Sequence, residues 1–268
     1  MKQTCIILFL YISICVFPQG GYDFCQSGYE KFSNGDFTGA IIDYSECIKF
    51  APGDEAAYFN RGLAYYYLEN YEAALPDFRQ VNTLKPGDYE SYYWTGNILT
   101  DLEKYDAAIE AYSKSIYYKP DYQPAYFERG YAKYTAGLWE ESLPDFIRAQ
   151  ELDKKDMEAH YNLGLAYMKL AKTTEALAEF NTVVTNIPER ANAWYNLGYI
   201  QNTLKNFDAA ITSYTKVIAL QPNAGDAYYE RGVAHYNLSM FVEACQDWNE
   251  ALSLGDRLAK NQLDAFCK

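Results

Sequence analysis

The stretch Trp194-Tyr195-Asn196-Leu197-Gly198 decides the fold, because its closing glycine recurs along the whole chain. Gly28, Gly62, Gly96, Gly130, Gly164, Gly198 and Gly232 stand 34 residues apart without a slip, in a chain of 268 residues that holds only 16 glycines. Self-similarity at a fixed period of this length marks a stacked-repeat architecture. Other columns keep the same step. Twelve residues after each glycine come Ala40, Ala74, Ala108, Ser142, Ala176, Ala210 and Ala244. Four further on stand Tyr44, Phe78, Tyr112, Phe146, Phe180, Tyr214 and Trp248. Pro52, Pro86, Pro120, Pro188 and Pro222 close five of the seven units, while Lys154 and Asp256 depart from that column.

Each unit reads as two helices. Ala56 to Leu68 and Glu72 to Leu84 both carry apolar residues at helical spacing, and the proline ends the second helix. A glycine inside a helix costs about 1 kcal/mol relative to alanine. Its regular placement therefore predicts a crossing too close for a Cβ. The small residue of the second helix is expected on the other side of that crossing, with the aromatic four residues later filling the gap beside it.

Trp194 to Gly198, with Ala210, Tyr214 and Pro222, resembles the tetratricopeptide repeat consensus, as does Tyr58 to Gly62 with Tyr65, Ala74, Phe78 and Pro86. The resemblance implies an all-α, right-handed solenoid of seven helix pairs with the first helices on the concave face. The repeats are 21–54, 55–88, 89–122, 123–156, 157–190, 191–224 and 225–258, and 259–268 reads as a C-terminal capping helix. A capped solenoid is a monomer by default.

Residues 1–20 differ from the rest. Lys2, an apolar run from Cys5 to Phe17 and then Pro18-Gln19-Gly20-Gly21 have the layout of a cleaved secretory signal. A lipoprotein anchor at Cys15 is disfavoured, because Ile14 stands where that pattern wants a small residue. The chain is thus expected in the periplasm or outside the cell, with no membrane span after cleavage. The exported start and the tail Ala265-Phe266-Cys267 look similar to secreted repeat proteins of Gram-negative bacteria. Four cysteines remain in the mature part, and four allow three pairings. Cys25 with Cys47 and Cys245 with Cys267 are the short-loop choices, one at each end.

The formal net charge of −13 becomes about −14 once Lys2 is lost. Such a surface repels nucleic acid and anionic lipid and favours a cationic or neutral partner. No metal or cofactor is expected: there are only two histidines and no Cys-x-x-Cys. No nucleophile elbow, zinc helix, phosphate loop or calcium loop is present. His160 and His235 occupy columns filled elsewhere by Tyr126, Trp194 or Tyr65, which are packing positions. The repeats leave no room for a catalytic insert, so an enzyme is not expected. Asn237-Leu238-Ser239 matches a glycosylation sequon by pattern alone.

By carry-over from the family, the ligand face includes the residue three before each glycine and the one after it. These supply Tyr29, Phe59, Tyr93, Asn97, Phe127, Tyr131, Tyr161, Tyr195, Tyr199 and Tyr229, an aromatic groove. Rigid amphipathic rings make good contact residues. The chain has 28 tyrosines, more than packing needs. The family's carboxylate clamp is missing, since Cys or an aromatic stands where it wants Lys, and only Asn97 matches its asparagine. The expected function is an exported scaffold that holds a peptide or protein segment. The alternative is binding of a glycan or peptidoglycan fragment by ring stacking.

Arg61, Arg129 and Arg231 replace the usual leucine before the glycine, and they occur only where an aspartate follows sixteen residues on, namely Asp77, Asp145 and Asp247. The planar guanidinium fork fits a carboxylate, which predicts three structural ion pairs.

Overall fold

The computed structural model describes residues 19–267, and the expected signal lies outside them apart from its last two residues. Among the described residues there are fifteen helices and no strand. Contacts divide the chain at Ala136 and Gly137 into two compact units. The N-terminal unit contains α1 (Gln19–Ser33), α2 (Phe37–Phe50), α3 (Glu55–Tyr67), α4 (Tyr71–Leu84), α5 (Tyr89–Asp101), α6 (Tyr105–Tyr118) and α7 (Gln123–Thr135). The C-terminal unit contains α8 (Trp139–Leu152), α9 (Met157–Lys169), α10 (Thr173–Asn186), α11 (Ala191–Thr203), α12 (Phe207–Leu220), α13 (Gly225–Asn237), α14 (Phe241–Ser253) and α15 (Leu258–Phe266). In chain order these are seven helix pairs and a final helix.

The helix starts and stops have local causes. Asp54, Asp88 and Asp156 end the inter-repeat turns, and their carboxylates accept from the first backbone N–H groups of α3, α5 and α9. Those donors have no partner within the helix. Inside each repeat the first helix ends in a left-handed residue. Gly35, Glu69, Glu103, Gly137, Ala171, Lys205 and Ser239 all have positive φ, 34 residues apart. At Glu69 the motif is complete: Asn70 N–H bonds Tyr65 O at 2.9 Å, and Glu69 N–H bonds Tyr66 O at 2.9 Å. Five of these seven residues are not glycine. The turn is imposed by the packing of the two helices it joins, at a local cost of about 1 kcal/mol.

The glycine column works differently from the expectation. The small residues of the second helices are buried as predicted, but within each unit the atoms nearest the glycine belong to the aromatic ring four residues later. A Cβ on Gly96 would lie 2.5 Å from the Tyr112 ring. On Gly164 it would lie 2.9 Å from Phe180, on Gly198 2.9 Å from Tyr214, and on Gly232 2.6 Å from Trp248. The side chain of a helical residue leans toward the helix N-terminus, so the ring reaches back over the crossing. Tyr112, Phe180 and Tyr214 are wholly buried there.

Disulfides join Cys25 to Cys47 and Cys245 to Cys267, each across 22 residues. The second ties the end of α15 to α14, and α15 has Ala259 as its one buried residue. A loop of this length removes roughly 3 kcal/mol of unfolded-chain entropy. A Cys245→Ser/Cys267→Ser variant is therefore expected to lose about a hundredfold of amide exchange protection in α15. Protection in α11 and α12 should change far less. Equal loss along the unit would show that the bond does not act locally.

Candidate functional site

Arg61 and Arg231 are held in ion pairs that link helices. In the N-terminal unit Arg61 donates to both carboxylate oxygens of Asp77, at 2.8 and 2.7 Å, and a third donor reaches Ser45 Oγ at 3.1 Å. One guanidinium thus links α2, α3 and α4. In the C-terminal unit Arg231 repeats the pattern with Asp247 at 3.0 and 2.7 Å and Thr215 at 3.0 Å. Arg129 donates to Ser113 at 2.9 Å. Asp145 is buried on α8, and its pairing with Arg129 stays an expectation, since the two residues belong to different units. The hydroxyl acceptors were missed in the sequence, although Ser45, Ser113 and Thr215 stand sixteen residues before the three arginines and nowhere else in that column. His235 and Asp247 are 2.9 Å apart, and His160 lies 2.6 Å from Glu179, so both histidines sit against structural carboxylates.

The aromatic column three residues before the glycine is half core. Phe59 is 3% exposed and meets Phe78 edge-on at 5.6 Å, which removes it from any groove. Tyr161 on Phe180 and Tyr195 on Tyr214 repeat that contact at 5.7 and 5.7 Å, and Tyr93 meets Tyr112 at a tilt at 6.0 Å. Asn97 accepts from the Tyr112 hydroxyl at 2.8 Å, so its amide holds the core ring. The Tyr229 hydroxyl accepts from Gln262 of α15 at 3.2 Å, which brings the last helix over that ring. Tyr29 and Phe127 are half-buried, whereas Tyr131 and Tyr199 are the exposed members. Position in the repeat set each ring's direction. The neighbouring helices set how much of it faces solvent.

In the C-terminal unit a cleft opens between α9, α11, the end of α12 and α13. Tyr161, Ala191, Asn192, Tyr195, Gln221 and Asp226 line it. Its walls are stiff. Tyr161 is held on one side by Phe180, and its hydroxyl accepts from Asn196 Nδ2 at 3.1 Å. Arg190 lies 3.9 Å from its ring centre, with the guanidinium charge met by Glu158 at 2.8 and 3.0 Å. Beside the cleft, burial pushes the Tyr195 hydroxyl above its ordinary range, and Glu230, Asp226 and Asp256 push the same way.

Glu230 itself is raised, first by burial and then by the charges of Asp256 and Asp226, with the Asn202 amide opposing them. A carboxyl whose folded pKa lies above its unfolded value stabilises fully at low pH, and that contribution is lost as pH rises through the folded value. Glu230→Gln should therefore raise the unfolding midpoint at pH 7. The gain should largely close by roughly pH 4, where the unfolded side chain too is mostly protonated. A gain that persisted unchanged at pH 4 would contradict this assignment.

Residues 59–122 and 127–189 match one tetratricopeptide repeat family model, and residues 191–224 match a second. The chain is a tetratricopeptide repeat protein. The C-terminal part of a repeat-containing protein from Cytophaga hutchinsonii superposes on this repeat protein with a TM-score of 0.75 at 19% identity, covering 89% of this chain and 98% of that one. A repeat protein from Parabacteroides merdae gives 0.65 at 16%, over 94% and 100%. YrrB, described as a TPR protein with an unusual peptide-binding site, gives 0.66 at 19%, over 70% and 97%. At these identities the likeness speaks for the fold. No curated protein matches the sequence. No catalytic family is indicated for this repeat protein, and no described helix is long and apolar enough to cross a membrane.

Proposed function

We propose that this protein is an exported interaction module that holds a segment of a partner protein against the inner helices of its repeats, with the cleft beside Tyr161 and Tyr195 as the contact centre. The observation that carries the reading is the stiffness of that cleft. Two rings are anchored on buried aromatics, and amides from Asn192 and Asn196 line the same cleft. Pre-ordered rings lose little freedom on binding, and side-chain amides can satisfy the backbone of an extended chain. The peptide-binding site named for YrrB supports the same use of the fold. Disulfides at both ends of the chain support an oxidising compartment.

The test is panning a random dodecapeptide phage library against the full chain. Enriched peptides should bind the wild type, and Asn192→Ala/Tyr199→Ala should weaken them at least tenfold while leaving the unfolding midpoint in place. Both residues are exposed, so the variant spares the core. The proposal fails if no peptide is enriched, or if those recovered bind the double variant equally well.

A further inference from the structure

The cleft has a counterpart three repeats earlier, and that counterpart is full. Adding 102 to a residue number carries the third and fourth repeats onto the sixth and seventh. In the N-terminal unit Tyr89, Lys119 and Tyr122 pack together. Lys119 Nζ donates to the Tyr89 hydroxyl at 3.1 Å. The ammonium lies 4.4 Å from the Tyr89 ring centre and 5.4 Å from that of Tyr122. Tyr122 in turn meets Tyr93 edge-on at 5.4 Å. An ammonium is attracted to ring faces at such distances.

The equivalents in the C-terminal unit are Ala191 for Tyr89, Gln221 for Lys119 and Ala224 for Tyr122. Two rings and a cation have been traded for two methyl groups and a neutral amide. The lining differs elsewhere too, since Tyr161, Asn192, Asn196 and Val217 stand for Phe59, Glu90, Trp94 and Ser115. Tyr195 replaces Tyr93 like for like, and Glu230 replaces Glu128. Asp226 stands where the earlier repeats have Pro124, which adds a carboxylate to the lining. Asp226, Glu230 and Asp256 enter no ion pair among the described residues. Arg190, which lies against the Tyr161 ring, is taken by Glu158.

We infer that the cleft is a vacated lysine site, and that it takes a basic side chain from the bound peptide, which enters where Lys119 lies in the earlier repeats. The inference rests on the peptide reading above and names the residue that the cleft selects. The aliphatic stem of a lysine would lie along the Tyr161 and Tyr195 rings, and its ammonium would reach Asp226, with Glu230 nearby. Tyrosine supplies both the apolar wall and the ring face that such a side chain needs. The chain's net charge of −13 assists encounter with a basic segment.

The probe is the dodecapeptide enriched by panning, paired with a version in which its recurring basic residue is norleucine. Lysine or arginine should recur at one position, and the norleucine peptide should bind at least tenfold more weakly. Ala191→Tyr/Gln221→Lys/Ala224→Tyr, which rebuilds the filled site, should bring the basic peptide down to the norleucine level. Asp226→Asn, an exposed change, should weaken the basic peptide about fivefold and leave the norleucine peptide unaffected. That second variant keeps the test open should the triple change fail to fold. A peptide that binds with no basic preference, or a triple variant that retains the preference, overturns this inference and leaves the peptide reading standing. Failure to enrich any peptide overturns both.

Discussion

Tyr112→Ala should lower the unfolding free energy by about 4 kcal/mol, and it should reverse the sign of a second change at Gly96. Tyr112 is wholly buried on α6, and its hydroxyl is bound by Asn97 and Thr100 of α5. Truncation removes the ring and leaves those two side chains without it. Gly96→Ala in the wild type drives a methyl to 2.5 Å from that ring. The overpacking costs about 1–3 kcal/mol, offset by about 1 kcal/mol of helix propensity. In the Tyr112→Ala background the obstacle is gone and only the propensity remains, so Gly96→Ala should then stabilise by up to about 1 kcal/mol. Urea unfolding of the four proteins measures this coupling. Gly53→Ala is the control, since a Cβ there meets nothing within 4 Å. If Gly96→Ala costs the same with and without the ring, the glycine is needed for some other reason.

Arg61→Leu should cost about 3–4 kcal/mol, although it restores the residue usual at that column. The loss comes from Asp77, which is 3% exposed and would keep its charge without a partner. Burial already raises the Asp77 pKa, and Arg61 opposes that rise. With Arg61 gone the folded pKa rises further. The deficit of the variant is then largest at pH 7 and shrinks as pH falls and Asp77 takes up a proton. The partner change decides the case. Arg61→Leu/Asp77→Ser copies the sixth repeat, where Leu197 and a buried Ser213 stand at the two positions. It should come within about 1 kcal/mol of the wild type, because replacing both members of a buried pair is far milder than removing one. Chemical denaturation at pH 7 and pH 4.5 reads both effects. A single variant as costly at pH 4.5 as at pH 7 would show that the loss is not one of buried charge.

Helix pairing was legible because it rests on local repetition. A glycine, a small residue and a ring at fixed offsets recur in every repeat, and each offset corresponds to a helical face. The ion pairs at Arg61 and Arg231 were legible for the same reason, as two residue types that vary together at fixed spacing. Their third contact, to Ser45 and Thr215, was present in the same columns, but it joins one repeat to the one before. A reading confined to single repeats passes over it. The left-handed turn residues were hidden because Glu69, Glu103, Ala171, Lys205 and Ser239 have no intrinsic preference for positive φ.

By itself, then, the sequence determined the repeat, the helix pairs and the direction in which each column points, since all of these follow from a period within one chain segment. Only the tertiary structure decided which rings are free. Phe59 and Tyr195 occupy one column, yet Phe59 is buried and Tyr195 borders a cleft. The cleft exists because Ala191, Gln221 and Ala224, at the two ends of the sixth repeat, are small or neutral at once. Exposure is a property of what neighbouring helices cover, and no single segment of chain contains that information.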